Sequence, residues 1–156
     1  MDRLSIMGVR INNISMNEVL KLTEQKIEND EKYIIYTPNT EIIMMCQKDE
    51  EFLNLMNQSD INVPDGVGLI YAGKIKKLPL KEKVAGYDLS INLLKMADEK
   101  GLKLYVVGGR PGVAEAAMKN VQNKYPGTKI VGAQHGYFKG AHLGEFGHYE
   151  ELSLIE

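Results

Sequence analysis

Asn62-Val63-Pro64-Asp65-Gly66-Val67-Gly68-Leu69-Ile70 is the stretch on which the reading of this chain turns. Ile61 and Val63 form a short apolar run that ends at a proline; a carboxylate follows, then two glycines, then a second apolar run. The pattern reads as strand, tight loop, helix. In an open α/β sheet, ligands sit at the carboxyl ends of the strands. Pro64 stiffens the approach to Asp65, and Gly66 and Gly68 let the backbone come close to a bound group. Asp65 is thus a candidate catalytic base on a rigid support. The same residue would serve equally as the N-cap of the following helix.

The same alternation extends to both sides. Leu4, Ile6, Met7, Val9 and Ile11 suggest one or two short strands over residues 4–12, with Gly8 at a turn. Ser15-Met16-Asn17-Glu18 is a capping box, opening a helix to about Asn29 that faces inward through Val19, Leu20, Thr23 and Ile27. Tyr33-Ile34-Ile35-Tyr36 reads as a buried strand, and Thr37-Pro38-Asn39-Thr40 ends it and opens a helix through Cys46. Further elements are a helix over roughly 49–57, a strand at 61–63 and a helix after Gly68. Asp88 caps a helix to Lys100, stopped by Gly101. A strand at 103–107, a helix through Val113, Ala117 and Val121, and a strand at 129–132 complete the series. Strands alternating with helices from residue 33 onward predict an α/β fold, a mostly parallel sheet with helices on both faces and a short N-terminal β element.

Composition bounds the function. The 156 residues fit one domain, and 44% hydrophobic with 26% charged residues is ordinary for a globular protein. The net charge of −2 gives no bulk attraction to nucleic acid. No apolar run approaches the roughly 18 residues of a membrane span, and Met1-Asp2-Arg3-Leu4-Ser5 lacks a signal-peptide core. The single cysteine, Cys46, excludes an intrachain disulfide and reads as a buried, reduced thiol, which fits a cytosolic setting. Five glycines and the three histidines His135, His142 and His148 crowd residues 132–148 without a clear period. The chain is therefore expected to be truncated, or altered, at its C-terminus. The irregular histidine spacing disfavours zinc.

Three strand ends carry polar or flexible groups: Thr37 with Asn39, Asp65 with Gly66, and Gly108-Gly109-Arg110-Pro111-Gly112. Parallel strands would bring all three to one rim. Thr37 and Asn39 suit a sugar or base, and Asn39 or Thr40 would equally serve as a helix cap. The glycine loop offers N–H groups and a helix N-terminus to a phosphate, with Arg110 as a charge-assisted donor; it reads equally as a turn with Pro111 opening a helix. The loop is not G-x-G-x-x-G, and Gly132-Ala133-Gln134 after the next strand has no acid, so NAD is disfavoured. There is no P-loop and no Asp-x-Asp, so a diphosphate would be neutralised by cations and backbone dipoles without a bridging metal. Lys74, Lys76, Lys77, Lys81 and Lys83, offset only by Glu82, form a solvated loop or a patch for a diphosphate or an anionic membrane. Ile42, Met44, Met45, Leu69 and Tyr71 allow a homo-oligomer face and equally a core.

Tyr36-Thr37-Pro38-Asn39-Thr40-Glu41, Val63-Pro64-Asp65-Gly66-Val67-Gly68, Lys83-Val84-Ala85-Gly86-Tyr87-Asp88-Leu89, Gly108–Gly112 and His135-Gly136-Tyr137-Phe138 occur in this order over most of residues 4–140. In this ordered set the chain resembles the WecG/TagA/CpsF family of bacterial glycosyltransferases. The resemblance implies a single Rossmann-like domain over 1–156 and metal-independent, inverting transfer of N-acetylmannosamine from its UDP derivative to undecaprenyl-diphosphate-linked N-acetylglucosamine, in wall teichoic acid synthesis. It implies no cofactor, Asp65 as general base, and substrate contacts from Thr37, Asn39, Gly66, Lys83, Asp88, Gly108, Gly109, Arg110, Gly136 and Tyr137. Lys83 stands where many relatives carry arginine, so a bidentate phosphate contact is lost there. Relatives also continue into a G-x-P-x-Q-E loop and a basic segment that touches the inner face of the membrane. The alternatives are a nucleotide-binding module without chemistry, and an unrelated α/β hydrolase or phosphatase.

Overall fold

The computed structural model describes residues 2–137, so the expectations for Phe138, His142, His148 and the late glycines lie outside the described residues. The chain divides into two compact units, one ending at Asn92 and one beginning at Leu93. Both mix helices with short strands.

The first unit opens with an antiparallel hairpin, β1 (Arg3–Ile6) and β2 (Val9–Asn12), with Leu4 opposite Ile11. Its two linking residues, Met7 and Gly8, have φ of 50° and 85°. Two positive φ values match the right-handed strand twist that tight hairpins need. Alternation puts Leu4, Ile6, Val9 and Ile11 on the inner face, where they meet Ile43, Cys46, Met56, Leu69 and Leu80. Each such side chain removed from water contributes about 1.5–3 kcal/mol. α1 (Met16–Glu28) starts at the expected capping box, Ser15 and Glu18 each bonding the other's backbone N–H. It buries Val19 and Thr23, while Ile27 is exposed. α2 (Thr40–Cys46) and α3 (Glu50–Asn57) are capped by Asn39 and Asp49. Cys46 is buried, as its apolar surroundings suggest.

β3 (Ile35–Tyr36) and β4 (Ile61–Asn62) pair in parallel, Ile35 opposite Ile61. The strand expected over residues 33–36 is shorter and less buried. Its Ile34 N–H is taken by the Asp60 carboxylate at 2.8 Å, so the ladder begins only beyond it, and Ile34 is exposed. α4 (Val67–Ile75) follows β4, and α5 (Gly86–Lys100) begins two residues before the expected cap, Asp88. The Leu89 N–H already bonds the Ala85 carbonyl, which leaves Asp88 inside the first turn.

In the second unit β5 (Lys103–Val107) and β6 (Lys129–Gln134) pair in parallel, with a register shift at Leu104/Tyr105, and α6 (Val113–Lys124) packs on them. The mixed α/β class stands, and two of the three strand pairs are parallel. Among the described residues the strands hydrogen-bond as three pairs, β1 with β2, β3 with β4 and β5 with β6. Where β2 neighbours β4, a side chain stands in for the ladder. Asn12 Oδ1 accepts the Asn62 N–H, and Asn62 Nδ2 donates to the Arg10 and Met56 carbonyls.

Candidate active site

The loops after β3 and β4 run side by side. The Val63 N–H donates to the Tyr36 carbonyl at 2.9 Å and the Asp65 N–H to the Pro38 carbonyl at 3.2 Å. Pro38 has no N–H to return, so the ladder continues one-sided and the two chains can splay into a rim. Both prolines of this rim, Pro38 and Pro64, are fully buried. A third segment locks onto it where the Val84 N–H donates to the Pro64 carbonyl at 2.9 Å. Asp65 is therefore fixed through its own N–H and through the carbonyl before it.

Its side chain is half-buried, and Oδ2 accepts the Gly86 N–H at 3.1 Å. Among the described residues Oδ1 has no partner, so one carboxylate oxygen is held and the other is available. Asp65 does cap a helix, but that helix is α5, not the one that follows it. The N-cap of α4 is Gly66, at φ 96° and without a side-chain bond. A Cβ on Gly66 would meet nothing within 4 Å, so this glycine serves the backbone angle and borders open space. Gly68 has a different use: a Cβ there would come 2.4 Å from Thr40 Cγ2, so α4 and α2 start in close contact.

Thr37 joins Asp65. A Cβ on Gly86 would lie 2.9 Å from Thr37 Oγ1 and 3.2 Å from Thr37 Cβ, so the threonine side chain rests against the first residue of α5. Its half-buried hydroxyl makes no hydrogen bond among the described residues. Thr37, Asp65 and Gly86 thus form one cluster at a helix N-terminus, where orphan N–H groups favour negative charge. Asn39 beside it is a helix cap, its Oδ1 accepting from the Ile42 N–H at 2.9 Å. Lys83 and Asp88 flank the start of α5 and are exposed.

The second unit assembles its own share of the expected residues. The Gly108 N–H donates to the Gln134 carbonyl and the Gly136 N–H to the Gly109 carbonyl, both at 2.9 Å. A Cβ on Gly136 would meet Gly108 Cα at 3.2 Å, so the two loops touch backbone to backbone. Gly108, Gly109 and Gly112 have φ of 135°, 73° and 84°, angles that side chains rarely adopt. Gly112 is the N-cap of α6 without a side-chain bond, and Arg110 is exposed beside it. Tyr137 follows, its N–H on His135 Nδ1 at 3.2 Å.

The profile of the "Glycosyl transferase WecG/TagA/CpsF family" matches residues 4–152. The chain belongs to this family. Among curated relatives it is similar to the "N-acetylglucosaminyldiphosphoundecaprenol N-acetyl-beta-D-mannosaminyltransferase" of Bacillus subtilis (strain 168), 29% identical over 67% of this chain and 41% of the relative. The Staphylococcus aureus (strain NCTC 8325 / PS 47) protein of the same name is 29% identical over 86% of this chain and 54% of its own length. The chain spans about half the length of the curated relatives it matches.

In the first unit of this WecG/TagA/CpsF family member the charges are unevenly committed. Lys81 bonds Glu18 at 2.5 Å, which holds that carboxyl at about 2, well below its ordinary 4.5. Glu82 accepts the Met16 N–H. Lys74 lies 5.8 Å from the centre of the Tyr71 ring. Burial pushes the Cys46 thiol up, which fits a packed residue better than a nucleophile. Among the described residues no cluster of three or more His, Cys, Asp or Glu is placed to hold a metal ion, and no helix is long and apolar enough to cross a membrane. Sequence reasoning missed two positioning residues, Gly86 and Val84. Both stood in the Lys83–Leu89 motif, but only contact with residues about twenty positions earlier shows what they do.

Proposed function

We propose that this chain carries the catalytic base of a transferase that moves N-acetylmannosamine from its UDP derivative to N-acetylglucosaminyl-diphosphoundecaprenol, in wall teichoic acid synthesis at the inner membrane face. The observation that carries the reading is the Thr37–Asp65–Gly86 cluster, in which one carboxylate oxygen is anchored and the other has no partner. Family membership and the relatives' shared name support the substrates. Asp65 Oδ1 takes the proton of the acceptor hydroxyl as its oxygen attacks the anomeric carbon. The bond from that carbon to the β-phosphate oxygen breaks on the opposite face, and UDP leaves with the electron pair. The configuration inverts, and one base suffices. Thr37 holds a sugar or acceptor hydroxyl beside the base. In the second unit, the N-terminus of α6 and Arg110 are anion-binding elements, and Gly136 and Tyr137 are the further substrate contacts of that unit. Lys83 and Asp88 flank the start of α5 as substrate contacts, on a Rossmann-like arrangement.

The test is UDP release from UDP-N-acetylmannosamine with and without a lipid-diphosphate acceptor analogue, each in the presence and absence of EDTA. Release that needs the acceptor and survives EDTA is expected. Release without acceptor would make the protein a hydrolase. UDP binding without release in either arm would make it a binding module. Loss in EDTA with rescue by magnesium would contradict the metal-independent mechanism.

A further inference from the structure

α4 leaves the Asp65 rim with an unusual surface. Val67, Tyr71 and Ile75 recur every fourth residue, so they form one stripe along the helix. They are 60%, 59% and 82% exposed, and Leu78 just beyond is 57% exposed. The helix ends in a tight reversal: the Leu78 N–H donates to the Gly73 carbonyl and the Lys77 N–H to the Lys74 carbonyl, both at 3.0 Å, with Lys77 at φ 57°. Glycine usually holds that left-handed position, and its following apolar residue usually folds back on the helix. Here a lysine holds it, and Leu78 stands out in solvent. The result is an apolar tip of Ile75 and Leu78 ringed by exposed Lys74, Lys76 and Lys77.

The charges say what covers this tip. A second copy of the chain across a two-fold axis would set these lysines against their own counterparts. Of the nearby acids, Glu18 is paired with Lys81, and Glu82 accepts the Met16 N–H at the start of α1. Apolar side chains and a tyrosine ringed by lysines complement the acyl–headgroup boundary of an anionic bilayer. We infer that the Tyr71–Leu78 end of α4 docks on an anionic membrane surface, with Ile75 and Leu78 inserted among the lipids and the three lysines on their headgroups. This inference rests on the acceptor being polyprenyl-linked. It places the Asp65 rim about 12 Å along the helix axis from the lipid contact, at 1.5 Å per residue.

The test is co-sedimentation of the full chain with vesicles of phosphatidylcholine alone or mixed with phosphatidylglycerol, without donor or acceptor, so that a wrong acceptor assignment leaves the readout intact. Wild type is expected to pellet with the mixed vesicles only. Ile75→Glu and the double variant Lys76→Glu/Lys77→Glu are expected to weaken that partition at least tenfold, on a scale of about fivefold per lysine at the surface. Leu55→Glu, at an exposed apolar position on α3, is expected to leave it unchanged. Circular dichroism checks that each variant is folded. Equal pelleting of wild type and folded Ile75→Glu, or no pelleting of wild type, overturns the inference. So does a wild-type dimer in light scattering that Ile75→Glu dissolves, because the tip would then belong to a second copy.

Discussion

Replacing Asp65 by asparagine and by alanine separates its two roles, because the structure gives each carboxylate oxygen a different one. Oδ2 accepts the Gly86 N–H at the start of α5, and Oδ1 is the proposed proton acceptor. Alanine removes both. Loss of such a cap typically costs about 1 kcal/mol, within a range of about 0.5–2. In a folding unit of 60–100 residues, 1 kcal/mol lowers Tm by about 4–8 °C; in a chain of about 150 residues, by about 2–4 °C. Asparagine keeps an acceptor for Gly86 and gives up only the charge on the helix dipole, about 0.3–1 kcal/mol. The expected order of stability is therefore aspartate, asparagine, alanine, with asparagine the nearer to wild type. The expected order of transfer is different: both variants fall about 10²–10⁴-fold, since an amide takes no proton. Thermal unfolding by circular dichroism and acceptor-dependent UDP release read the two scales on the same samples. A folded Asp65→Asn protein that transfers within tenfold of wild type refutes the base. An Asp65→Ala protein that melts with wild type refutes the cap.

Gly86→Ala is expected to reduce transfer at least tenfold while the chain stays folded, because the new Cβ would stand 2.9 Å from Thr37 Oγ1 and displace that hydroxyl; a parallel Thr37→Val measurement should lose activity without the crowding, and unchanged turnover in both variants would remove Thr37 from the site. Glu18 is a carboxylate held at about 2 in the fold against an ordinary 4.5. Its contribution is therefore complete above about 4.5 and lost as pH falls from there through about 2. Glu18→Gln should flatten that part of the stability profile, so parallel urea midpoints for the two proteins across pH 2.5–5 would contradict the Lys81 pairing.

What could be read from the sequence was what is decided within a few residues. Ser15 and Glu18 satisfy each other three positions apart, and the helix starts where they say. The loop from Pro64 to Gly68 was legible because a proline, a carboxylate and two glycines each restrict the backbone locally. The start of α5 was not. Asp88 has the chemistry of a cap, yet the cap came from Asp65, 21 residues earlier. The pairing of the strands was hidden for a related reason. Periodicity marks strands but says nothing of which partner takes each N–H, and at Ile34 and Asn62 side chains took them. The cluster's residue types were visible; that Thr37 and Asp65 both rest against Gly86 was not, because a glycine gives no signal of what lies against it.

Asn62 has a consequence for how this family's sequences should be compared. Its N–H and amide group reach Asn12, Arg10 and Met56, so it ties the opening hairpin to the strand that delivers Asp65. Leucine would take the amide donor from the Arg10 carbonyl and leave the Met56 carbonyl with the Ser59 hydroxyl alone, and aspartate would set a negative charge against both. Selection for folding alone would hold Asn62 fixed, three positions from the proposed base. An alignment column cannot separate that cause from chemistry, so invariance at this position would by itself carry no vote on mechanism.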